Sequence, residues 1–129
     1  MNCHPFNVVS FESIGQGIGD VMNRAGMAVA YHTSSKGTKA YFVGGYNPTT
    51  KIALGTVNVA DIHNTLPVMD LAKGPDMIGI LPRKFHTATW IDAPLNGIVM
   101  MGGQTGNIVT QPLTPVAVYD SLTSNWTNV

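Results

Sequence analysis

The sequence predicts an all-β chain: two four-stranded antiparallel sheets, preceded by one trailing strand of an earlier unit of the same kind. Three observations predict it. Two apolar stretches end in paired glycines, "AYFVGG" and "GIVMMGG", and their first glycines, Gly44 and Gly102, stand 58 positions apart. Arg24 and Arg83 open the two copies 59 positions apart, and "VNVAD" from Val57 repeats as "VAVYD" from Val116 at the same spacing. Between these landmarks, short runs of strand formers alternate with turn residues, and no helical period competes with them. A repeat of this length governs the fold, so it is read before any single motif.

The second copy shows the unit in full. "RKFHTATWID" (83–92) reads as a strand, "APLN" as a turn, and "GIVMMGG" as an apolar strand closed by glycines. "QTGNIVTQPLTP" is a polar loop, "VAVYD" a third strand, "SLTSN" a turn, and "WTNV" begins a fourth strand. The first copy follows the same order. "RAGMAVAYH" is its first strand, "SSKGT" its turn, "AYFVGG" its second strand, "YNPTTKIALG" its loop and "VNVAD" its third strand. Pro67 stands where the second copy has Trp126. "FNVV" from Phe6 resembles "WTNV", so Phe6 to Phe11 is read as the last strand of a preceding unit. The segment "PVMDLAKGPDMIGIL" has the weakest pattern and leaves room for a short helical turn. The predicted divisions are 1–23 for the remnant strand and connector, 24–82 for a degenerate unit, and 83–129 for a complete one.

A small sheet that is apolar on both faces cannot bury both alone, so such units stack on one another as the blades of a β-propeller do. The residues then resemble a known motif. Arg83-x-x-His86, a strand ending at Gly102 and Gly103, then Tyr119, six residues and Trp126, are similar to the kelch repeat. The first copy keeps Arg24, Gly44 and Gly45, with Met27, Ala60 and Pro67 in place of the histidine, tyrosine and tryptophan. The resemblance spans residues 24–129, and the N-terminal strand extends it to nearly the whole chain.

The resemblance implies a propeller of about five to seven blades. This chain supplies two of them and a trailing strand, as a fragment or a truncated product. It implies a protein-interaction scaffold rather than an enzyme, with a protein partner bound by "YNPTTKIALG" and "GQTGNIVTQPLTP", since loops carry recognition. The alternative it carries is a fragment of a secreted galactose oxidase-like copper oxidase or another kelch-bearing enzyme; a non-functional truncated product is the third reading. The oxidase chemistry calls on a cysteine linked to a tyrosine, a further tyrosine and two histidines. None of these is matched residue by residue, so neither cofactor nor metal is expected in this chain.

Roles follow from blade geometry. The glycine pairs allow close backbone approach and positive φ. Tyr119 and Trp126 anchor packing between blades. Asp61 and Asp120 begin turns, where an aspartate bonds the backbone two residues on. Arg83 and His86 are expected to make buried polar contacts. The open faces of the end blades are expected to promote self-association.

Composition excludes other classes. The 129 residues fit one ordinary domain, with 44% apolar and 11% charged residues. Seven basic residues balance seven acidic ones, without the basic footprint of a nucleic-acid binder. No apolar run approaches the roughly 20 residues of a membrane span, and no signal peptide is evident at the N-terminus. Cys3 is the single cysteine, so an internal disulfide is excluded. Low charge with many Thr, Asn and Gly leans weakly toward an extracellular setting. Asn125 of "NWT" fits the glycosylation pattern, while "NPT" at Asn47 is excluded by its proline.

"GQGIG" and "GGQTG" lack the spacing and following residues of phosphate loops. His4, His32, His63 and His86 lack the spacing of a helical metal pair. Cys3 and His4 would point to opposite faces of a strand. Asp20, Asp61, Asp70, Asp76, Asp92 and Asp120 are scattered in turns without a paired-carboxylate pattern.

Overall fold

The computed structural model describes residues 24–62, 69–105 and 115–129. The remnant strand at 6–11, the segment around Pro67 and most of the second polar loop lie outside the described residues. The first sheet comprises β1 (Ala28–Ser34), β2 (Gly37–Val43), β3 (Val57–Ile62) and β4 (Met69–Lys73). The second comprises β5 (Thr87–Ile91), β6 (Gly97–Met101), β7 (Val116–Asp120) and β8 (Asn125–Asn128). Each is an antiparallel meander in which every strand pairs with its sequence neighbours, in the orders β1-β2-β3-β4 and β5-β6-β7-β8. The chain is therefore all-β, as two four-stranded antiparallel sheets. No helix among the described residues is long and apolar enough to cross a membrane.

Three expectations are corrected. The segment with room for a helical turn contributes a strand instead: β4 pairs with β3, because the free edge of β3 offers backbone groups that a local turn would leave unpaired. Its register sets Ala60 opposite Leu71, where the second sheet sets Tyr119 opposite Trp126. Leu71, not Pro67, is thus the positional counterpart of Trp126. The connection from β3 to β4 is longer than the turn from β7 to β8, so the 59-residue spacing slips there. In addition, the strand read from Arg83 begins only at Thr87. Phe85 takes a φ of 58° and breaks the extended run, leaving Lys84 in an isolated bridge to Gln104.

The sheets pack face to face and meet most extensively along β1 and β5. Because side chains alternate along a strand, one face of each sheet turns inward. Ala30, Tyr41, Val43 and Val57 of the first sheet join Ile98, Met100, Ala117, Tyr119 and Trp126 of the second in one buried cluster. Met77 and Ile80, from the connector between the sheets, complete it. Full burial of a large apolar side chain stabilises by about 1.5–3 kcal/mol, so this seam is the chain's main core.

Candidate functional site: the seam between the sheets

At one rim the seam is built from arginines and paired glycines. The Arg24 guanidinium donates to the carbonyls of Phe42, Gly44 and Thr56 and to Asn58 Oδ1. Arg83, fully buried, donates to the carbonyls of Gly102 and Pro115. Gly102 and Pro115 hold the places that Gly44 and Thr56 hold in the first copy, so the two arginines clamp equivalent carbonyls where β2 and β6 end. The Thr56 and Pro115 carbonyls already accept the N–H of Gly44 and Gly102, and the guanidinium, with several donors in one plane, fills acceptor capacity that remains. Burial pushes the Arg83 pKa below its ordinary value.

The first glycine pair is where the sheets touch through backbone. Gly44 and Gly45 take φ of 66° and 97°, a region costly for side-chain-bearing residues. The Gly45 N–H donates to the Arg83 carbonyl at 2.7 Å. A Cβ on Gly44 would stand 2.7 Å from that same carbonyl and 2.8 Å from His86 Cε1. In the second pair, a Cβ on Gly103 would meet the Lys84 carbonyl at 2.7 Å, as one on Gly45 would meet the Ala25 carbonyl at 2.7 Å. A Cβ on Gly102 would meet nothing within 4 Å.

His86 lies against Gly44 in this seam, 7% exposed, and neither ring nitrogen makes a hydrogen bond of normal geometry. The ring is packed in the seam beside Gly44. Burial lowers its pKa from 6.5 to about 4, the nearby Val43 carbonyl opposing this in part and the Arg83 charge adding to it. Asp120 caps its turn by accepting from the Leu122 N–H at 2.8 Å. Asp61, its counterpart, stands within β3 and lines the cleft described next. Tyr119 and Trp126 are buried with ring centroids 5.3 Å apart, and the Trp126 indole donates to the Pro75 carbonyl at 2.7 Å.

At the opposite rim the seam opens into a cleft of about 570 Å³, whose walls include His32, Lys39, Tyr41 and Asp61 from one sheet and Trp90 and Ser121 from the other. Trp90 stacks on His32 at 4.3 Å and on Tyr41 at 5.6 Å. Asp92 accepts from the Trp90 indole at 3.0 Å and stands 3.7 Å from His32 Nδ1. Burial, then the charges of Tyr119 and Asp61, push the Tyr41 pKa up. The sequence reading singled out neither Trp90 nor His32 for this place. The available signal was the strand period: Ala88 and Trp90 share one face of β5, as Ala30 and His32 share one face of β1.

Of the cleft's hydroxyls, Ser121 Oγ donates to the Asn96 carbonyl and Ser34 Oγ to the Gly37 carbonyl, while that of Tyr41 belongs to the aromatic stack. Among the described residues no three His, Cys, Asp or Glu side chains come together to hold a metal ion. His86 is enclosed singly and His32 is committed to its stack with Trp90. These residues do not fit a copper centre.

No protein-family model matches the chain, and no curated protein matches it. Among solved structures it is similar to a fungal alcohol oxidase of the AA5 family, described as catalytically diverse and in complex with copper. The TM-score is 0.62 at 17% identity, over 82% of this chain and 22% of that one. The chain thus spans about a fifth of the neighbour's length, and the likeness is one of fold. This corrects the expected non-enzymatic protein-interaction scaffold, since a solved structure of similar fold is an oxidase. The physical reason is that paired glycines and clamping arginines encode how sheets stack. A stack of this kind serves an enzyme as well as a scaffold, so the motif could not decide between them.

Proposed function

We propose that the chain is a two-blade segment, 24–82 and 83–129, of a kelch-like galactose oxidase-type propeller in an alcohol-oxidising enzyme, and that it forms propeller wall rather than metal centre. The observation that carries this reading is the joint one of fold and seam: the similarity to the fungal oxidase extends over 82% of the chain, while none of its described residues is arranged to hold copper. Its own residues keep adjacent sheets in fixed register through the Arg83 carbonyl, the paired glycines and the aromatic stack. Such rigidity is what a site assembled from distant parts of a chain needs. The glycosylation pattern at Asn125, beside Trp126 on β8, accords with the secreted setting of such enzymes.

The test compares the 129-residue chain with the product of the same reading frame extended through its neighbouring coding sequence. Loaded with Cu(II), the extended product is expected to consume oxygen in the presence of a primary alcohol. The chain alone is expected to show only weakly held copper by electron paramagnetic resonance. An extended product that folds without alcohol-dependent oxygen uptake overturns the reading.

A further inference from the structure

The last strand of each sheet is an edge. Among the described residues β4 and β8 each pair on one side only, so their outer backbone groups stand ready to pair with another chain. The first sheet carries a charge there: β4 ends at Lys73, which is exposed. Lysine commonly guards such edges. β8, "NWTN", has no charged residue. It has instead the acceptor pattern Asn-x-Thr, which occurs once in the chain with a residue other than proline in the middle.

The strand presents that pattern outward. Trp126 is buried in the seam, while Asn125 and Thr127, on either side of it, share the opposite face and are exposed. The repeat shows that this exposure persists when a further sheet stacks on the face. Thr127 lies opposite Val118 of β7, as Ala72 lies opposite Val59 of β3. Val59 packs against the core of the seam, yet Ala72, on the same face, is exposed although the second sheet covers that face. The fourth strand thus projects past its neighbour's cover, and Asn125 and Thr127 hold that projecting place in the second sheet.

We propose that Asn125 carries an asparagine-linked oligosaccharide, and that this glycan guards the β8 edge as Lys73 guards that of β4. Asn125 Nδ2 forms a new C–N bond to the anomeric carbon of a lipid diphosphate-linked oligosaccharide. The C–O bond to the diphosphate breaks, the lipid diphosphate leaves with the electron pair, and one Nδ2 proton passes to a base of the transferase. Nothing is oxidised or reduced. The Thr127 hydroxyl completes the pattern that the transferase reads. The bulk and hydration of the glycan then keep another strand from adding to β8. The inference takes the secreted setting from the proposed function and nothing else, and its readouts need neither copper nor alcohol. A glycosylated chain beside an inactive extended product would overturn the oxidase reading alone.

The full chain, secreted from a eukaryotic host behind a cleavable signal, tests both halves. Its mass is expected to exceed 13.7 kDa and to return there on treatment with peptide N-glycosidase, with the deamidation mark at position 125 in peptide mass spectrometry. Asn125→Gln and Thr127→Ala are expected to lose the added mass, and Thr127→Ser to keep it. Light scattering against concentration then reads the edge. Asn125→Gln is expected to aggregate at lower concentration than the glycosylated chain, and Asn125→Lys, which has no glycan but restores an edge charge, to stay dispersed. Any association through the sheet faces is common to all three, so the difference isolates the edge. These positions are exposed, so folding is expected to survive, and circular dichroism verifies it. A secreted wild type without added mass overturns the proposal. So does a glycosylated wild type that aggregates no later than Asn125→Gln, which leaves the glycan without the guarding role.

Discussion

The two sheets are built to one plan but sit in different surroundings, and Gly44 and Gly102 measure the difference. Both follow a strand, both take positive φ, and both carry a carbonyl bonded by the arginine of their own sheet. Only Gly44 has a neighbouring sheet pressed against it. The same residue type at the same step of the repeat therefore has two distinct reasons to be glycine at one position and one at the other. Backbone conformation operates in both sheets, whereas close approach operates only where a second sheet is present.

The largest expected effect separates those two reasons. Gly44→Val meets positive φ and the Arg83 carbonyl together and is expected to cost about 4 kcal/mol. Gly102→Val meets the conformational term alone, at about 1–2 kcal/mol. Chemical denaturation of both variants measures the gap, and equal losses would break the comparison.

The next effect concerns His86, whose counterpart in the first copy is Met27. Its folded pKa, about 4, lies below the unfolded value of 6.5. The unfolded chain therefore binds the extra proton first as pH falls. The stabilisation is complete above pH 6.5, declines as pH falls toward 4, and levels off below, with a loss on the order of 3 kcal/mol at most. His86→Met is expected to remove this slope. Thermal melts of both proteins from pH 7.5 to 3.5 read it, and parallel curves would assign the acid sensitivity elsewhere.

The smallest effect sharpens the contrast between the turns. Asp120→Ala removes the bond to the Leu122 N–H and is expected to cost about 1 kcal/mol, lowering the melting temperature by a few degrees.

Much of the fold was legible because period-two alternation and glycine punctuation are local signals. β2, β3, β6 and β7 lie where "AYFVGG", "VNVAD", "GIVMMGG" and "VAVYD" place them. β4 was obscured because a longer connection displaces it from the 59-residue spacing, and its partner is β3 rather than its own sequence. The seam was legible only in part. Arginines and glycines announce themselves by repetition, but the meeting of Trp90 with His32 and Tyr41 depends on how two sheets stack, which no single strand records. The silence of both His86 nitrogens was likewise invisible, because a motif position does not say whether a polar group is bonded or merely enclosed. Function was the least legible, since the repeated residues specify stacking.

The chain has two tryptophans, and both touch the seam from the second sheet, at opposite edges. Trp90 lies on the inner strand β5 against His32, and Trp126 on the last strand β8, donating to the carbonyl of Pro75 in the connector. Parting of the sheets would move both indoles from packed surroundings into water. Intrinsic fluorescence therefore reports the opening of this joint without any attached dye. Replacing one indole at a time by phenylalanine would distinguish a joint that opens from its inner edge from one that peels from the outside.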